Sequence, residues 1–134
     1  QRGVSVVALE GFSYNSVGKY FELGEVGGVL KLLAYEYQVP CVIVPPASLK
    51  KFETANAQAS KDAMVRAANA AMKSQGIVVS DDNQADAFFL AVIARNFGQE
   101  VMPNVRAQLE VLHQLKHPTP RKIRRVRRRV KNAI

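Results

Sequence analysis

The order of apolar and polar positions along the chain predicts an α/β fold. Two short runs of mostly apolar, β-branched residues, 4–9 and 40–44, are typical of buried strands. Between them, residues 18–38 place apolar side chains at helical spacing, although glycines weaken the middle of this segment. A strand, a helix and a second strand in this order predict a parallel crossover within a layered α/β domain.

Four helices are predicted in the second half of the chain. Ser60 is placed to cap one of them and Gly76 to end it. Ser80 or Asp81 is placed to cap the next, which ends near Gly98. The four helices cover residues 47–52, 61–74, about 81–96 and 105–114.

The positive charge of the chain is concentrated near its carboxyl end. The net charge is +8, and eight of the 19 Lys and Arg residues lie in residues 121–131, which contain no acid. The rest of the chain holds 11 basic and 11 acidic residues. Apolar side chains at helical spacing predict that residues 121–134 form a basic amphipathic helix. We expect a polyanionic partner for this tail, which fits a DNA-binding arm, an RNA-binding arm or a localisation signal.

Length and composition favour one domain that has no membrane partner. The 134 residues, 48% of them hydrophobic, suit one domain over residues 1–116 and a basic tail over residues 117–134. No stretch reaches the roughly 20 consecutive apolar residues of a spanning helix, and the amino end lacks the layout of a signal peptide. Cys41, the only cysteine, lies in a predicted strand as a small buried hydrophobe. These features predict a cytoplasmic protein.

Three acids carry the candidate chemistry. Glu10 closes the first predicted strand, and Asp82 and Asp86 lie one turn apart on a predicted helix. Asp86 is the most informative, because its helix is apolar nearly all round and an ionised carboxylate there needs a basic partner or a metal ion. Each acid also has an ordinary structural role as an alternative. Glu10 could simply reach solvent at the end of its strand, Asp82 could cap its helix, and Asp86 could form a salt bridge with a basic side chain.

Convergence of these acids at one point predicts a metal-dependent hydrolase. Carboxylates at a strand end and on the first turns of an adjacent helix are able to meet. Oxygen ligands without His or Cys suit hard cations such as Mg²⁺ or Mn²⁺. Two such ions about 4 Å apart activate water and stabilise the leaving oxygen of a phosphodiester. Phosphodiester hydrolysis is therefore the predicted reaction.

Several segments resemble the RuvC-type Holliday junction resolvases, a family of RNase H-like nucleases. Residues 6–10, VVALE, resemble the strand that ends in the second catalytic acid of that family, and residues 82–87, DNQADA, resemble its final acidic motif. Residues 44–51, VPPASLKK, and residues 59–62, ASKD, resemble the segment that carries two DNA-contacting lysines. The resemblance covers residues 4 to about 96.

The resemblance implies a fold, a reaction and a site. The fold would be an RNase H-like mixed sheet flanked by helices, encoded by a bacterium or a phage. The function would be cleavage of Holliday junctions or other branched DNA by a homodimer, with residues 18–38 as the dimer seam. Glu10, Asp82 and Asp86 would be the catalytic metal ligands, and Lys61 would be a further catalytic residue.

Lysines, aromatic residues and arginines complete the predicted DNA-binding surface. The lysines would hold phosphates near the scissile bond, although each considered alone reads as a solvated surface charge. Aromatic residues after the catalytic strand would stack on unpaired bases at a junction, or else pack in the core. The predicted DNA-binding residues are Lys50, Lys51, Lys61, Phe12, Tyr14, Arg121, Arg124, Arg125 and Arg128.

Three departures from the family pattern matter. The family's first strand, with its opening catalytic Asp, has no counterpart, so we expect the domain to be incomplete at its amino end. The family's last two acids lie three residues apart, but Asn83 occupies that position, which leaves Asp82 as the expected ligand and Asp81 as its substitute. Ala55 and Ala57 replace glycines that are common in the lysine-bearing loop.

Two other functions stay open at this stage. One is a non-catalytic RNase H-like module that binds nucleic acid, which the missing first strand favours. The other is an RNase H-like nuclease that processes RNA or flaps, which only substrate competition would separate from a resolvase.

Overall fold

The computed structural model describes residues 3–11, 20–99 and 103–118. These residues form a mixed α/β fold that is mostly helical. Its strands and helices are β1 (Val7–Glu10), α1 (Tyr20–Glu36), β2 (Cys41–Val44), α2 (Pro46–Thr54), α3 (Lys61–Met72), α4 (Asp82–Gln99) and α5 (Arg106–Lys116). A 3₁₀ turn, Lys73–Gln75, follows α3. The predicted α/β class is confirmed, whereas the predicted helix of the basic tail lies outside the described residues.

The two strands form a parallel pair with Glu10 opposite Val44 in register. Pairing extends past both ends, since Val7 N–H donates to Pro40 O at 2.9 Å and Gly11 N–H donates to Val44 O at 2.7 Å. Parallel pairing across a helical connection is as the sequence predicted. The predicted mixed sheet is not what the described residues form, because both of their strands run in the same direction. The carboxyl ends of β1 and β2 therefore meet at one edge, where α2 begins.

Helix α1 connects the strands and leaves most of its apolar side chains uncovered. Ala34 is buried, but Phe21 is 89% exposed and Tyr35 is 81% exposed. We call the exposed set the apolar α1 face. It comprises Phe21, Leu23, Val26, Val29, Leu30, Leu32, Leu33 and Tyr35. No helix among the residues that the structure describes is long and apolar enough to cross a membrane.

The hydrophobic core lies where α2, α3, α4 and α5 pack beside β2. Phe52 from α2 meets Phe89 from α4 edge to face, with ring centroids 6.4 Å apart and planes at 75°. The largest fully buried side chains are Val44, Leu49, Phe52, Ile93, Val111 and Leu112. Because α2 and α4 share this core, their first turns are held at the same edge of the sheet.

Side-chain caps begin α3 and α4, and both were predicted from the sequence. Ser60 Oγ accepts from Ala63 N–H at 3.3 Å, and Asp81 Oδ1 accepts from Gln84 N–H at 2.9 Å. Gly76 ends the 3₁₀ turn with a φ of 68°, the left-handed conformation that glycine tolerates. Asp81 is therefore the N-cap of α4, and Asp82 is its first residue.

Asn69 ties α3 to the segment that leads into α4. Its side-chain amide donates to Val79 O at 2.9 Å, and its side-chain oxygen accepts from Val79 N–H at 2.8 Å. Val79 is itself buried, with 5% of its surface exposed. This pair of hydrogen bonds satisfies a buried backbone segment that belongs to no strand or helix.

Proline begins α2 and a left-handed alanine ends it. Pro46 occupies the first turn, where a missing N–H costs nothing. Ala55 has a φ of 61°, and its N–H donates to Lys51 O at 2.9 Å. An L-residue in this conformation costs about 1 to 2 kcal/mol. Ala55 therefore occupies a backbone conformation that glycine would adopt more easily.

Candidate active site

A cleft of about 590 Å³ opens at the carboxyl ends of the strands. Glu10 reaches it from the end of β1, and Lys50 reaches it from α2. Lys61 lines it from the first turn of α3, and Asp82 and Asp86 line it from the first turns of α4. Helix α1 supplies a mostly apolar wall of Leu23, Val26 and Leu30, together with Lys31. Residues as far apart in sequence as 10 and 86 therefore meet in one place, which we call the acidic cleft.

Asp86 is half-buried on the wall of the acidic cleft. Its Oδ1 atom is buried and accepts no hydrogen bond from any donor group in the described part of the chain. Burial raises the pKa of the Asp86 carboxyl, and a hydrogen bond with Glu53 opposes this rise. The negative charge of Asp82 acts in the same direction as burial. The surroundings of Asp86 thus disfavour its ionised form, as the apolar character of its helix predicted.

Glu53 is the acid that the sequence reasoning missed. It lies on α2 with only 9% of its surface exposed, and neither of its carboxyl oxygens accepts a hydrogen bond from a donor group of the described residues. Burial raises its pKa to about 8, with further contributions from the charge of Asp86 and a hydrogen bond to Asp86. Its spacing from Leu49 and Phe52 was the available signal, because residues at i, i+3 and i+4 share one helix face.

Glu10 lies at the mouth of the cleft, where its side chain reaches solvent. Even so, the protein around its carboxyl group removes enough water to raise its pKa. The charge of Asp86 also raises the pKa of Glu10, and the charge of Lys50 lowers it. Glu10 and Asp86 therefore interact electrostatically, as carboxylates facing one site do.

Two of the three lysines that line the cleft, Lys50 and Lys61, occupy different positions. Lys61 Nζ lies 2.5 Å from Asp82 Oδ2, and this hydrogen bond lowers the pKa of Asp82 and raises the pKa of Lys61. Lys50 lies near Glu10, Glu53 and Asp86, since its charge lowers the pKa of all three. Three carboxyl groups, from Glu10, Asp82 and Asp86, thus line the cleft together with three lysines, Lys31, Lys50 and Lys61.

Several predicted residues lie elsewhere. Lys51 points toward α5, where its Nζ lies 2.8 Å from Glu110 Oε2, and it does not line the acidic cleft. Asp81 is engaged as the N-cap of α4. The remaining predicted DNA-binding residues lie outside the described part of the chain. They are Phe12, Tyr14, Arg121, Arg124, Arg125 and Arg128.

The donor atoms of the acidic cleft suit a hard divalent cation. All of the acidic groups offer oxygen, and the buried Oδ1 of Asp86 has no protein donor in the described ranges. Within those ranges no three His, Cys, Asp or Glu side chains already stand close enough together to hold a metal ion by themselves. Glu10, Asp82 and Asp86 therefore do not form a closed set of metal ligands in this structure.

Comparisons of the chain with protein-family models, with curated proteins and with solved structures found no match.

Proposed function

We propose that this chain is the RNase H-like core of a metal-dependent endonuclease that cleaves Holliday junctions or other branched DNA. The observation that carries the proposal is the meeting of Glu10 and Asp86, on different elements, in one cleft that also contains Lys50 and Lys61. Carboxylates and lysines together in one cleft are the groups that a site for a cation and a phosphate requires.

Mg²⁺ or Mn²⁺ would be held by the carboxylates of Glu10 and Asp86. Asp82 would join them once Lys61 moves from its carboxylate to a DNA phosphate. The ion, when bound, would lower the pKa of a water molecule and stabilise the leaving oxygen. The protein's own part is to orient these carboxylates and to exclude water along the apolar wall formed by α1.

Lys50 and Lys61 would hold the phosphate that is cut. Both reach the same cleft, Lys50 from the middle of α2 and Lys61 from the start of α3. An ammonium group is a compact charge that binds phosphate at a variable angle. The Lys61–Asp82 ion pair would therefore serve as a resting contact that DNA replaces, and it keeps Lys61 at the cleft in the meantime.

We further propose a homodimer formed through the apolar α1 face. This face exposes eight large apolar side chains on one helix, which is typical of an association surface. Leu23, Val26 and Leu30 also line the cleft, so the dimer would use the other five. A four-way junction offers two equivalent strands, so two copies of the site would match it. Val29→Glu is expected to convert a dimer into a monomer in analytical ultracentrifugation, and a wild-type chain that sediments as a monomer would rule the dimer out.

A second candidate is a module that binds branched nucleic acid without cutting it. The observation that favours it is the Lys61–Asp82 ion pair, which occupies one of the predicted metal ligands. Such a module would bind a junction equally well with or without Mg²⁺ and would leave it intact.

The test is cleavage of a synthetic four-way junction by the full chain, with and without Mg²⁺. Asp86→Asn is expected to abolish cleavage while junction binding is retained, because only the ion-binding charge is removed. Asp62→Asn is the matched control, since Asp62 is an exposed acid on α3 that does not line the cleft. Full activity of Asp86→Asn would end the assignment, and metal-independent binding without cleavage would favour the second candidate.

A further inference from the structure

The two histidines of the chain lie one turn apart at the end of α5. His113 is in the last turn of the helix, and His117 follows the helix, with its N–H donating to His113 O at 2.9 Å. Residues four apart on a helix share one face, and the centroids of these two imidazole rings are 4.8 Å apart. Both side chains are exposed to solvent. We call His113 and His117 the histidine pair.

The separation of the two rings fits two ligands of one metal ion. A metal–nitrogen bond is about 2.1 Å long and the imidazole centroid lies roughly 1 Å behind the nitrogen, so two rings at about 90° to 110° around one ion have centroids about 4.5 to 5.2 Å apart. The observed 4.8 Å lies within this range. The ring planes are inclined at 48°, so the rings are not stacked face to face. The histidine pair therefore has the ring separation that a shared ion needs.

The charged side chains beside the histidine pair on α5 are bound to other groups. Glu110 Oε2 lies 2.8 Å from Lys51 Nζ, and Glu110 Oε1 lies 3.0 Å from Arg106 Nε. Lys116 Nζ lies 5.6 Å from the centroid of the Phe97 ring on α4. The carboxyl end of a helix also carries partial negative charge, which favours a cation near its last turn. The surroundings of the pair therefore favour a bound cation.

We propose that the histidine pair is a surface site for a divalent transition-metal ion of the class that includes Ni²⁺, Cu²⁺ and Zn²⁺. Imidazole nitrogen suits these ions, whereas the oxygen ligands of the acidic cleft suit Mg²⁺ or Mn²⁺. Among the described residues no third His, Cys, Asp or Glu stands close enough to complete the set, so water fills the remaining positions. No residue of α5 lines the acidic cleft, so this site is independent of the proposed nuclease function.

The experiment measures Ni²⁺ binding to the full, untagged chain by isothermal titration calorimetry at pH 7.5 in excess Mg²⁺. Mg²⁺ occupies oxygen ligands and leaves imidazole free. The wild-type chain is expected to bind one Ni²⁺. His113→Gln and His117→Gln are each expected to lower the affinity about 10-fold or more, because one ring alone lacks the effective concentration that the second ring supplies.

A double variant that keeps the number of histidines is the matched control. Gln114→His combined with His117→Gln leaves two histidines at adjacent positions, which do not face each other on a helix. This variant is expected to bind Ni²⁺ as weakly as the single variants. If it binds as tightly as wild type, the spacing of the pair does not matter and the proposal is wrong.

The imidazole proton signals in nuclear magnetic resonance spectra identify the ligands, because the chain has only these two histidines. Ni²⁺ is paramagnetic, so a substoichiometric amount is expected to broaden both signals together. Broadening of one signal alone would show that the two rings do not share an ion. A wild-type chain that binds no Ni²⁺, or single variants with wild-type affinity, would also overturn the proposal. None of these outcomes depends on junction cleavage, so the two proposals fail separately.

Discussion

The stability of the fold is expected to fall as the pH rises from 5 to 8.5, with Glu53 as the main cause. Its pKa is about 8 in the folded chain, against an ordinary value of 4.5. Between these two values the folded chain holds a proton that the unfolded chain has released. The free energy of unfolding is therefore greatest near the lower pH and declines as the pH rises through the folded-state pKa. The raised pKa values of Glu10 and Asp86 act with the same sign.

The size of this effect follows from the separation of the two pKa values. One pKa unit corresponds to about 1.4 kcal/mol, so a shift from 4.5 to about 8 sets a ceiling of about 5 kcal/mol. Glu53 shares its proton with Asp86, which still reaches solvent, so we expect about 2 to 3 kcal/mol. Asp82 and Glu110 have lowered pKa values, so they make the fold more stable as the pH rises. This effect is confined to more acidic pH, where these two carboxyl groups become protonated.

The assay is urea unfolding at several pH values between 5 and 8.5, without divalent metal, for wild type and Glu53→Gln. Glutamine does not titrate, so the variant is expected to have a shallower profile than wild type, with a remaining slope from Glu10 and Asp86, and to be the more stable protein at pH 8.5. Glu36→Gln, at the exposed end of α1, is expected to keep the wild-type slope. A wild-type profile that is level or rises with pH, or a Glu53→Gln profile parallel to it, would refute the reasoning.

Three further predictions concern backbone, packing and charge. Ala55 has a left-handed backbone conformation, so Ala55→Gly is expected to stabilise the fold by about 0.5 to 1 kcal/mol in urea unfolding. Ala57 has no positive φ, so Ala57→Gly is the control and is expected to destabilise the fold. Gly98→Ala places a Cβ 2.6 Å from Val6 Cγ2 and is expected to cost about 1 to 3 kcal/mol, so unchanged stability would contradict this packing. Deletion of residues 121–134 is expected to weaken DNA binding and flatten its salt dependence while junction preference is retained; an unchanged slope would exclude the tail as a DNA arm.

Local signals in the sequence were sufficient to predict where α3 and α4 begin and two acids of the site, Glu10 and Asp86. Ser60 and Asp81 are caps because their side chains accept from backbone N–H groups three residues ahead, which is a property of a few consecutive residues. Asp86 was singled out because its own helix is apolar. Glu10 followed from its position at the end of a strand. Each of these inferences needed only the immediate neighbours in the chain.

Contacts between distant elements were harder to predict. Glu53 lies just past the predicted helix of residues 47–52, and only the packing of α2 against α4 buries it near Asp86. The partner of Asp82 also depends on tertiary structure, because Lys61 reaches it from another helix. The apolar spacing of α1 predicted a packed helix, but the described residues leave that face open, since spacing alone cannot say what covers a surface.

The side chain of Asn69 has a mechanical consequence for the site. By hydrogen bonding to both the N–H and the C=O of Val79, it links the last turn of α3 to the segment that leads into α4. Lys61 begins α3 and Asp82 begins α4, so we expect the two helices to move together. If DNA binds Lys61 as proposed, a shift of α3 is thus expected to move Asp82 and Asp86 on α4 as well. DNA contact would then change the positions of the two carboxylates.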